Sequence, residues 1–193
     1  MIKVCFAEKI GMSEMISETG VVTPVTLLKV VPQGVVRSFE GGTLIGYGLP
    51  KKLSKPQAGQ FKHLSESYAD IVGVSCPPDF INLGVESLSV GDLVSVRAKS
   101  KGRGFTGTIS RHGFKRGPMS HGSKSHRIPG SIGAGTTPGR VLKGTRMAGR
   151  DGGGNITLKN LRVLLLNSET GLVVLSGSVP GKNGCVKIMS GDM

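Results

Sequence analysis

The feature that most constrains this chain is a long basic segment at residues 97–150. The segment contains 13 Lys or Arg residues and no Asp or Glu in 54 positions. Since the 193-residue chain has 25 basic and 12 acidic residues, the remainder is balanced at 12 of each. Like charges at this density repel one another, whereas a solvated protein face normally mixes both signs. The segment therefore predicts a polyanionic partner, and nucleic acid is the usual one.

The same segment lacks the residues that would build a hydrophobic core. Only 7 of its 54 residues are Leu, Ile, Val or Phe, whereas 12 are Gly and 3 are Pro. An apolar share below about 20% together with high charge is typical of disorder. Little apolar burial is then available to offset the conformational entropy lost on ordering. We expect an open loop in the free protein that becomes ordered on RNA.

The flanking sequences are rich in β-branched residues and turn signals, which predicts a mainly β fold. Strands are predicted at residues 21–31, 34–39, 43–47, 93–97, 156–166, 172–175 and 185–189, with a hairpin turn at 168–171 and one helix at 58–69. Turns every 8–12 residues favour an antiparallel barrel. We expect residues 1–96 and 151–193 to form this barrel body, with a smaller subregion around 50–90. Residues 97–150 would extend from it as a long basic loop.

Several classes of protein are not expected from this sequence. No apolar run approaches the ~18 residues of a membrane helix, so we predict no membrane partner. Residues 1–9 lack the pattern of a secretory signal, and no Arg- and Ser-rich transit peptide is visible. The cysteines Cys5, Cys76 and Cys185 are odd in number and widely spaced, which is typical of a reducing compartment rather than a disulfide framework.

Residues 102–107 match the glycine pattern G-x-G-x-x-G of dinucleotide-binding loops. That site requires a helix opening directly after the loop and a ribose-binding acid about 20 residues later. Gly113, Gly117 and Pro118 follow quickly, and no acidic residue occurs before Asp151. We therefore predict no nucleotide cofactor and no small-molecule substrate.

Three histidines, His112, His121 and His126, cluster without a nearby Cys, Asp or Glu. A zinc site needs a fourth ligand, and a catalytic Ser-His pair needs a carboxylate to orient the imidazole. The pattern favours imidazoles that stack on a base or hydrogen-bond a phosphate. No metal site and no catalytic residue are predicted.

Glycines alternate through the segment with basic and small hydroxyl residues. Backbone without a Cβ approaches a phosphate chain closely and adopts positive φ readily. Amide nests built in this way bind anions without a helix. The composition therefore favours a crowded RNA surface over a flexible linker, which would not need 13 cations.

Short motifs along almost the whole chain match one known family in order. In the basic segment they are residues 99–105 (KSKGRGF, against the family's SKGKGF), 120–122, 126–127, 129–133, 137–141, 143–144 and 147–149. Outside it they are residues 9–12, 24–26, 55–56 and 179–181. The sequence resembles the bacterial form of the third protein of the large ribosomal subunit. Residues 114–117 and 133–140 look most like plastid and cyanobacterial members.

The resemblance implies a fold, a function and a location. It implies a six-stranded translation-protein-type barrel whose central loop enters ribosomal RNA (rRNA) towards the peptidyl transferase centre. It also implies binding near the 3′ end of the large-subunit rRNA, help in nucleating subunit assembly, and neighbouring ribosomal proteins against the barrel. The location would be the ribosome of a bacterial cytoplasm or of a bacterial-derived organelle, with a plastid-like character.

Candidate rRNA-binding residues are the cations, imidazoles and small tip residues of the segment. They are Lys99, Lys101, Arg103, Arg111, His112, Lys115, Arg116, His121, Lys124, His126, Arg127, Gly130, Ser131, Gly133, Arg140, Lys143, Arg146 and Arg150. Ala134 stands where many bacterial members carry a methylated Gln, so that modification is not expected here. Residues 68–88 match the family poorly.

Two other functions compete with a structural ribosomal protein. A non-ribosomal protein that compacts RNA or DNA would more typically carry its basic residues in a terminal tail, whereas this segment is internal. A nucleotide-dependent enzyme would need a helix after Gly107 and an acidic residue near the loop.

Overall fold

A computed structural model describes residues 2–39, 41–50, 52–64, 66–182 and 184–190. The described residues are mainly strand, as the sequence predicts. The strands are β1 (Ile2–Ile16), β2 (Val22–Val30), β3 (Gln33–Phe39), β4 (Gly42–Tyr47), β5 (Asp70–Val74), β6 (Ile81–Leu83), β7 (Leu93–Lys99), β8 (Gly104–Thr106), β9 (Gly149–Asp151), β10 (Asn155–Asn167), β11 (Leu172–Ser176) and β12 (Cys185–Ser190). The helices are α1 (Lys55–Gln60) and α2 (Thr108–His112), and short 3₁₀ turns span Pro78–Phe80 and Val85–Ser87.

The chain divides into two compact units. One, here called the body, comprises residues 1–100 and 155–193. The other, here called the basic unit, comprises residues 101–154. Strand β7 leads into the basic unit and β10 begins directly after it.

The body is built around one large sheet with the strand order β12-β7-β10-β11-β2-β1-β6. Strand β12 also pairs with β1, so β1, β2, β11, β10, β7 and β12 form a closed cycle of antiparallel pairs. Strand β6 adds to β1 in parallel. A bulge in β10 between Leu158 and Leu161 shifts its register against β7.

Alternate residues of these strands face one shared core. In β7, Val94, Val96 and Ala98 are buried while their neighbours point to the opposite face. Leu28, Leu175 and Ile188 from other strands join them, as do further small and branched residues. Full burial of such a side chain stabilises the fold by about 1.5–3 kcal/mol. The body therefore holds its conformation with its own apolar residues.

A second sheet, β3-β4-β5, covers part of the opposite face of β1. Val4 and Phe6 from β1 pack with Ile45 from β4 in a separate buried cluster. The ring of Phe6 stacks on Tyr47 with centroids 4.4 Å apart and planes at 1°. Gln33 Oε1 accepts a hydrogen bond from the Phe6 backbone N–H at 2.9 Å, which fixes the start of β3 beside β1.

The seven predicted strands and the turn at 168–171 are confirmed within one or two residues. The predicted helix at 58–69 is wrong, because helix α1 spans only Lys55–Gln60. Its start is fixed by Ser54, whose backbone N–H donates to Gln57 Oε1 at 3.1 Å. It ends where the ring of Phe61 turns inward to an edge contact with Tyr68, with centroids 6.0 Å apart.

Strand β1 was not predicted, and it is the longest strand of the described chain. Its sequence mixes charged residues, Gly11 and Met, so neither a clean alternation nor a β-branched run marks it. Pairing with β2, β6 and β12 holds it extended despite this weak local signal. The poorly matched residues 68–88 contain β5, both 3₁₀ turns and β6.

The three cysteines, Cys5, Cys76 and Cys185, are free. Burial raises the pKa of Cys5 to about 11 and that of Cys185 to about 12, so both thiols stay protonated near neutral pH. Within the described chain, no helix has the length and apolar character needed to cross a membrane.

Candidate nucleic-acid interface

A short two-stranded sheet closes the base of the basic unit. Strands β8 and β9 pair in antiparallel register, with Phe105 opposite Arg150. The Arg103 backbone N–H donates to the Asp151 carbonyl at 2.9 Å, and their side chains form an ion pair at 3.3 Å. The chain therefore enters and leaves the basic unit at one fixed point.

Helix α2 follows β8 directly and ends at Gly113, which has a left-handed φ of 71°. Arg111 Nη1 donates to the Met147 carbonyl at 2.8 Å, and His112 Nε2 lies 3.0 Å from the same oxygen. One backbone oxygen of the returning chain thus anchors the C-terminal end of the helix.

This helix corrects the expectation that none would open after Gly107. Asp151 also lies beside the glycine loop, although the sequence places it far away. A helix after the glycine loop and an acidic residue beside it are both required of a nucleotide-dependent enzyme. Asp151, however, is paired with Arg103, and α2 has only five residues.

The longer loop between α2 and β9 is held by backbone and histidine contacts. The Gly117 N–H donates to the His126 carbonyl at 3.0 Å, and His126 Nδ1 lies 2.8 Å from the Pro118 carbonyl. A Cβ at Gly117 would collide with the Ser125 carbonyl, so this close approach requires glycine. At the tip, Ser131 Oγ donates to the Gly133 carbonyl at 3.1 Å.

The basic unit has almost no buried side chains. Thr108 is its single buried residue, at 3% exposure. Most of its larger apolar residues are exposed, namely Phe105, Met119, Ile128, Ile132, Val141, Leu142 and Met147, whereas Ile109 and Phe114 are half-buried. Phe105 reaches 81% exposure. Local hydrogen bonds, and not an apolar core, therefore hold this conformation.

The structure places the predicted site residues on the surface of the described chain. Lys99 ends β7 in the body, and the other seventeen residues lie in the basic unit. Lys101 and Arg103 precede β8, Arg111 and His112 are on α2, and Arg150 is on β9. The remaining twelve are in the long loop, namely Lys115, Arg116, His121, Lys124, His126, Arg127, Gly130, Ser131, Gly133, Arg140, Lys143 and Arg146. His112 and His126 are half-buried and the rest are exposed.

The cations of the segment are mostly unpaired. Among the described residues, Arg103 is the only one of the segment's 13 cations with an acidic partner within ion-pair distance. A surface that repels itself in this way gains most from an external anion. His112 and His126 each use one ring nitrogen on a backbone carbonyl, so each has only its second ring nitrogen for an external partner. No three His, Cys, Asp or Glu side chains of the described chain come together as metal ligands.

Sequence reasoning missed Phe105 as a candidate contact and Asp151 as the partner of Arg103. The exposed aromatic ring opposite Arg150 suits base stacking beside a cation. Its signal was present in the motif at residues 99–105, where an aromatic residue ends a run of glycines and cations.

Comparison with known proteins gives this surface its context. The family model described as ribosomal protein L3 matches residues 84–179. The large ribosomal subunit protein uL3 of Prochlorococcus marinus strain AS9601 is 46% identical over 195 residues, covering 93% of this chain and 89% of that protein. The chain belongs to the ribosomal protein L3 family.

Two further L3-family relatives widen the comparison. The large ribosomal subunit protein uL3c of Phaeodactylum tricornutum is 44% identical and covers 91% of this chain and 92% of its own length. The uL3 protein of Synechococcus sp. strain CC9311 is also 44% identical, with coverage of 92% and 88%. The resemblance found from the motifs is therefore confirmed, including its bacterial and plastid character.

Membership in the L3 family decides among the three functional classes. The relatives are named as ribosomal proteins and not as enzymes. Membership in their family therefore confirms the expectation of a non-enzymatic protein. The helix after Gly107 and the carboxylate of Asp151 are therefore parts of a structural unit.

Proposed function

We propose that this protein, a structural constituent of the large ribosomal subunit by its family, binds the large-subunit rRNA near its 3′ end. In this proposal residues 97–150 are an rRNA-penetrating extension, and residues 1–96 and 151–193 carry it. Binding there helps to nucleate assembly of the subunit. The protein performs no chemistry and stiffens the RNA that does.

The body is proposed to be the translation-protein-type barrel of the L3 family. The closed cycle of six antiparallel strands around one core supports this proposal. A closed sheet has no free edge among these six strands and is rigid.

The observation that carries the proposal is the set of unpaired, exposed cations of the segment. With one acidic partner among the described residues for 13 cations, the segment is self-repulsive until phosphates neutralise it. The exposed apolar side chains support the same conclusion, since bases offer π-faces on which Phe105 can stack.

The tip of the loop is proposed to reach towards the peptidyl transferase centre, as the family resemblance implies. Residues 130–135 contain three glycines and only one large side chain, Ile132. Apart from the chain neighbours, no described atom lies within 4 Å of a Cβ built at Gly130, Gly133 or Gly135. Gly130 and Gly133 have φ values of +82° and +158°, which by themselves favour glycine, whereas Gly135 has no such φ. The missing side chain at Gly135 therefore supports close packing by a partner outside the protein.

The proposed partners follow from this location. They are the large-subunit rRNA and neighbouring ribosomal proteins that contact the body. The proposed compartment is the ribosome of a bacterial cytoplasm or of a bacterial-derived organelle, since the relatives include a cyanobacterial protein and a uL3c.

The proposal is tested by the salt dependence of binding to an rRNA transcript from the 3′ region of the large-subunit rRNA. If about 8 cations neutralise phosphates, log K should fall against log salt with a slope of about −6 to −7. Replacing one unpaired cation, as in Arg127→Gln, should reduce the slope by about 1. A slope near −1 for the unmodified protein would reject the basic segment as the main electrostatic contact.

The matched control is Lys29→Gln in the body. Lys29 is exposed and lies opposite Glu8 in the β1–β2 register, so its charge is locally balanced. This variant should leave the slope unchanged. An equal loss from Lys29→Gln and Arg127→Gln would show that net charge alone governs binding.

A further inference from the structure

A cleft lies in the body, on the face of β7 and β12 that points away from the core. It has a volume of about 610 Å³. The second sheet contributes Tyr47, Val72 and Gly73 to one side of it, and β7 and β12 contribute the other side. All the residues that line it belong to the body.

Three cations line the cleft, namely Arg97, Lys99 and Lys187. Arg97 and Lys187 are directly opposite each other in the antiparallel β7–β12 register. Like charges in this position destabilise a sheet. No salt bridge to any of the three cations is found in the described part of the chain.

The half-buried position of Lys187 increases the cost of this arrangement. Burial lowers the pKa of Lys187, and the nearby charge of Arg97 lowers it further. Elsewhere in the cleft, Asp70 acts electrostatically on Cys185 and Tyr47, and Glu8 acts on Cys185. Within the cleft, an anion is therefore favoured beside Arg97 and Lys187.

The remaining wall of the cleft is formed by backbone. Gly73, Gly181 and Gly184 line it, together with Pro180. Gly181 has a φ of +93°, and a Cβ built on it would lie 2.8 Å from the Lys99 carbonyl. The 180–181 turn thus packs tightly against the end of β7. A wall of glycine backbone and the small ring of Pro180 allows a ligand chain to approach the cations closely.

We propose that this cleft, here called the Arg97–Lys187 cleft, is a second rRNA site that binds the phosphodiester backbone of an RNA strand. The inference rests on the proposed function: Arg97 and Lys99 are the first two cations of the basic segment, and the cleft extends their contact to Lys187 and Asn155 of the body. Arg97 and Lys99 are two residues apart on one face of β7, about 6.6 Å along the strand, so they can contact successive phosphates. The planar guanidinium of Arg97 suits phosphate oxygens, and Asn155, opposite Lys99, adds an amide donor.

RNA is favoured over an acidic protein segment by continuity along the chain. Arg97 and Lys99 belong to the same strand that leads into the basic unit, and Asn155 is the first residue after it. An RNA strand that binds the start of the basic segment can therefore continue onto Arg97 and Lys99, the cleft cations of β7. An acidic protein segment in the cleft is the competing outcome of the test.

The test uses the full chain bound to the 3′-region rRNA transcript, with lysine acetylation read by mass spectrometry. Lys187 and Lys99 should be acetylated in the free protein and protected at least several-fold in the complex. Lys29 should react equally in both states. Unchanged acetylation of Lys187 and Lys99 on binding would overturn the proposal.

Substitution gives an independent measurement. Lys187→Gln and Arg97→Gln should each reduce the salt slope by about 0.7–0.9, as expected for one lost phosphate contact. Lys187→Gln should not lower the thermal stability of the free protein, because it removes a half-buried like charge. If Lys187→Gln lost binding because it unfolded, Arg97→Gln would still test the cleft. Arg97 is exposed, so its replacement should leave the fold intact.

The outcomes separate this proposal from the proposed function. A slope near −1 for the unmodified protein would reject the proposed function. A steep slope that Arg127→Gln reduces, but that Lys187→Gln, Arg97→Gln and Lys29→Gln leave unchanged, would reject the cleft proposal alone. A cross-link between Lys187 and a neighbouring ribosomal protein in assembled subunits, together with rRNA binding that Lys187→Gln and Arg97→Gln leave unchanged, would assign the cleft to an acidic protein segment and overturn the proposal.

Discussion

The body and the basic unit reach a defined conformation by different means. The body buries two clusters of apolar side chains, with Leu28, Leu175 and Ile188 completely enclosed. The basic unit buries only Thr108 and leaves Phe105 and Leu142 in the open. The body therefore supplies its own stability, whereas the basic unit depends on short-range hydrogen bonds until a partner covers it.

The two units also differ in how they treat charge. In the body, Lys3 and Asp92 form an ion pair at 2.7 Å across 89 residues of sequence. In the basic unit the single ion pair lies at the base, and the described cations beyond Arg103 have no acidic partner. The basic unit is thus incomplete without its anion, and the Arg97–Lys187 cleft extends this property into the body.

The largest difference between the units should appear when a leucine is truncated in each. Leu175→Ala, at a fully buried position, should lower the free energy of unfolding by about 2–5 kcal/mol. Leu142→Ala, at 59% exposure, should change it by less than about 0.5 kcal/mol. Urea denaturation of the two variants measures both values. A similar loss for both leucines would show that the basic unit shares the core of the body.

A substitution at the tip should separate folding from assembly. Gly135 has no strained φ, and a Cβ there meets nothing within 4 Å, so Gly135→Val should leave thermal unfolding of the free protein unchanged. Crowded by RNA, the added side chain should cost about 1–3 kcal/mol, or roughly 5- to 150-fold in affinity. The yield of mature large subunits in cells that carry only the variant should fall accordingly.

Gly135→Ala is the matched control for that experiment, because it adds one carbon atom instead of three. Its effect on subunit yield should be smaller than that of the valine. Normal yield and normal peptide synthesis with Gly135→Val would contradict a tip buried in RNA. A lowered unfolding temperature would instead connect the tip to the body.

The smallest expected effect concerns the ion pair of the body. The hydrogen bond from Lys3 holds the pKa of Asp92 below its ordinary value of 3.8, against an opposing effect of desolvation. Because the folded-state pKa is lowered, the stabilisation is present above pH 3.8 and is lost as the pH falls through the folded value. The contribution should be below about 1 kcal/mol, as for other partly exposed pairs. Unfolding of Asp92→Asn between pH 2 and 6 should lack this component, and an unchanged pH profile would exclude it.

The sequence predicted those parts of the fold that have strong local signals. The β-branched runs of β2, β10 and β11 specify strands by themselves, and the turn at 168–171 ends one of them. Strand β1 has no such signal, because its conformation comes from pairing with three other strands. The early end of α1 likewise depends on a tertiary contact, the packing of Phe61 against Tyr68.

The sequence predicts which residue types form the candidate site, but not which of these residues lie next to one another. An acid-free run of cations identifies the basic segment without any structure. The pairing of Arg103 with Asp151 and of Arg97 with Lys187 joins residues 48 and 90 positions apart, and only strand register brings them together. Period-two alternation does place Arg97 and Lys99 on one face of β7, but it cannot show which strand lies beside it.

The central claim is that the body is ordered by itself and the basic unit is ordered by RNA. Amide hydrogen exchange of the full chain, free and bound to the 3′-region rRNA transcript, tests it most directly. Amides of β7, β11 and β12 should be protected in both states, because their hydrogen bonds enclose the core. Amides of residues 105–140 should exchange rapidly in the free protein and become protected on the RNA. Strong protection of residues 105–140 without RNA would contradict the account.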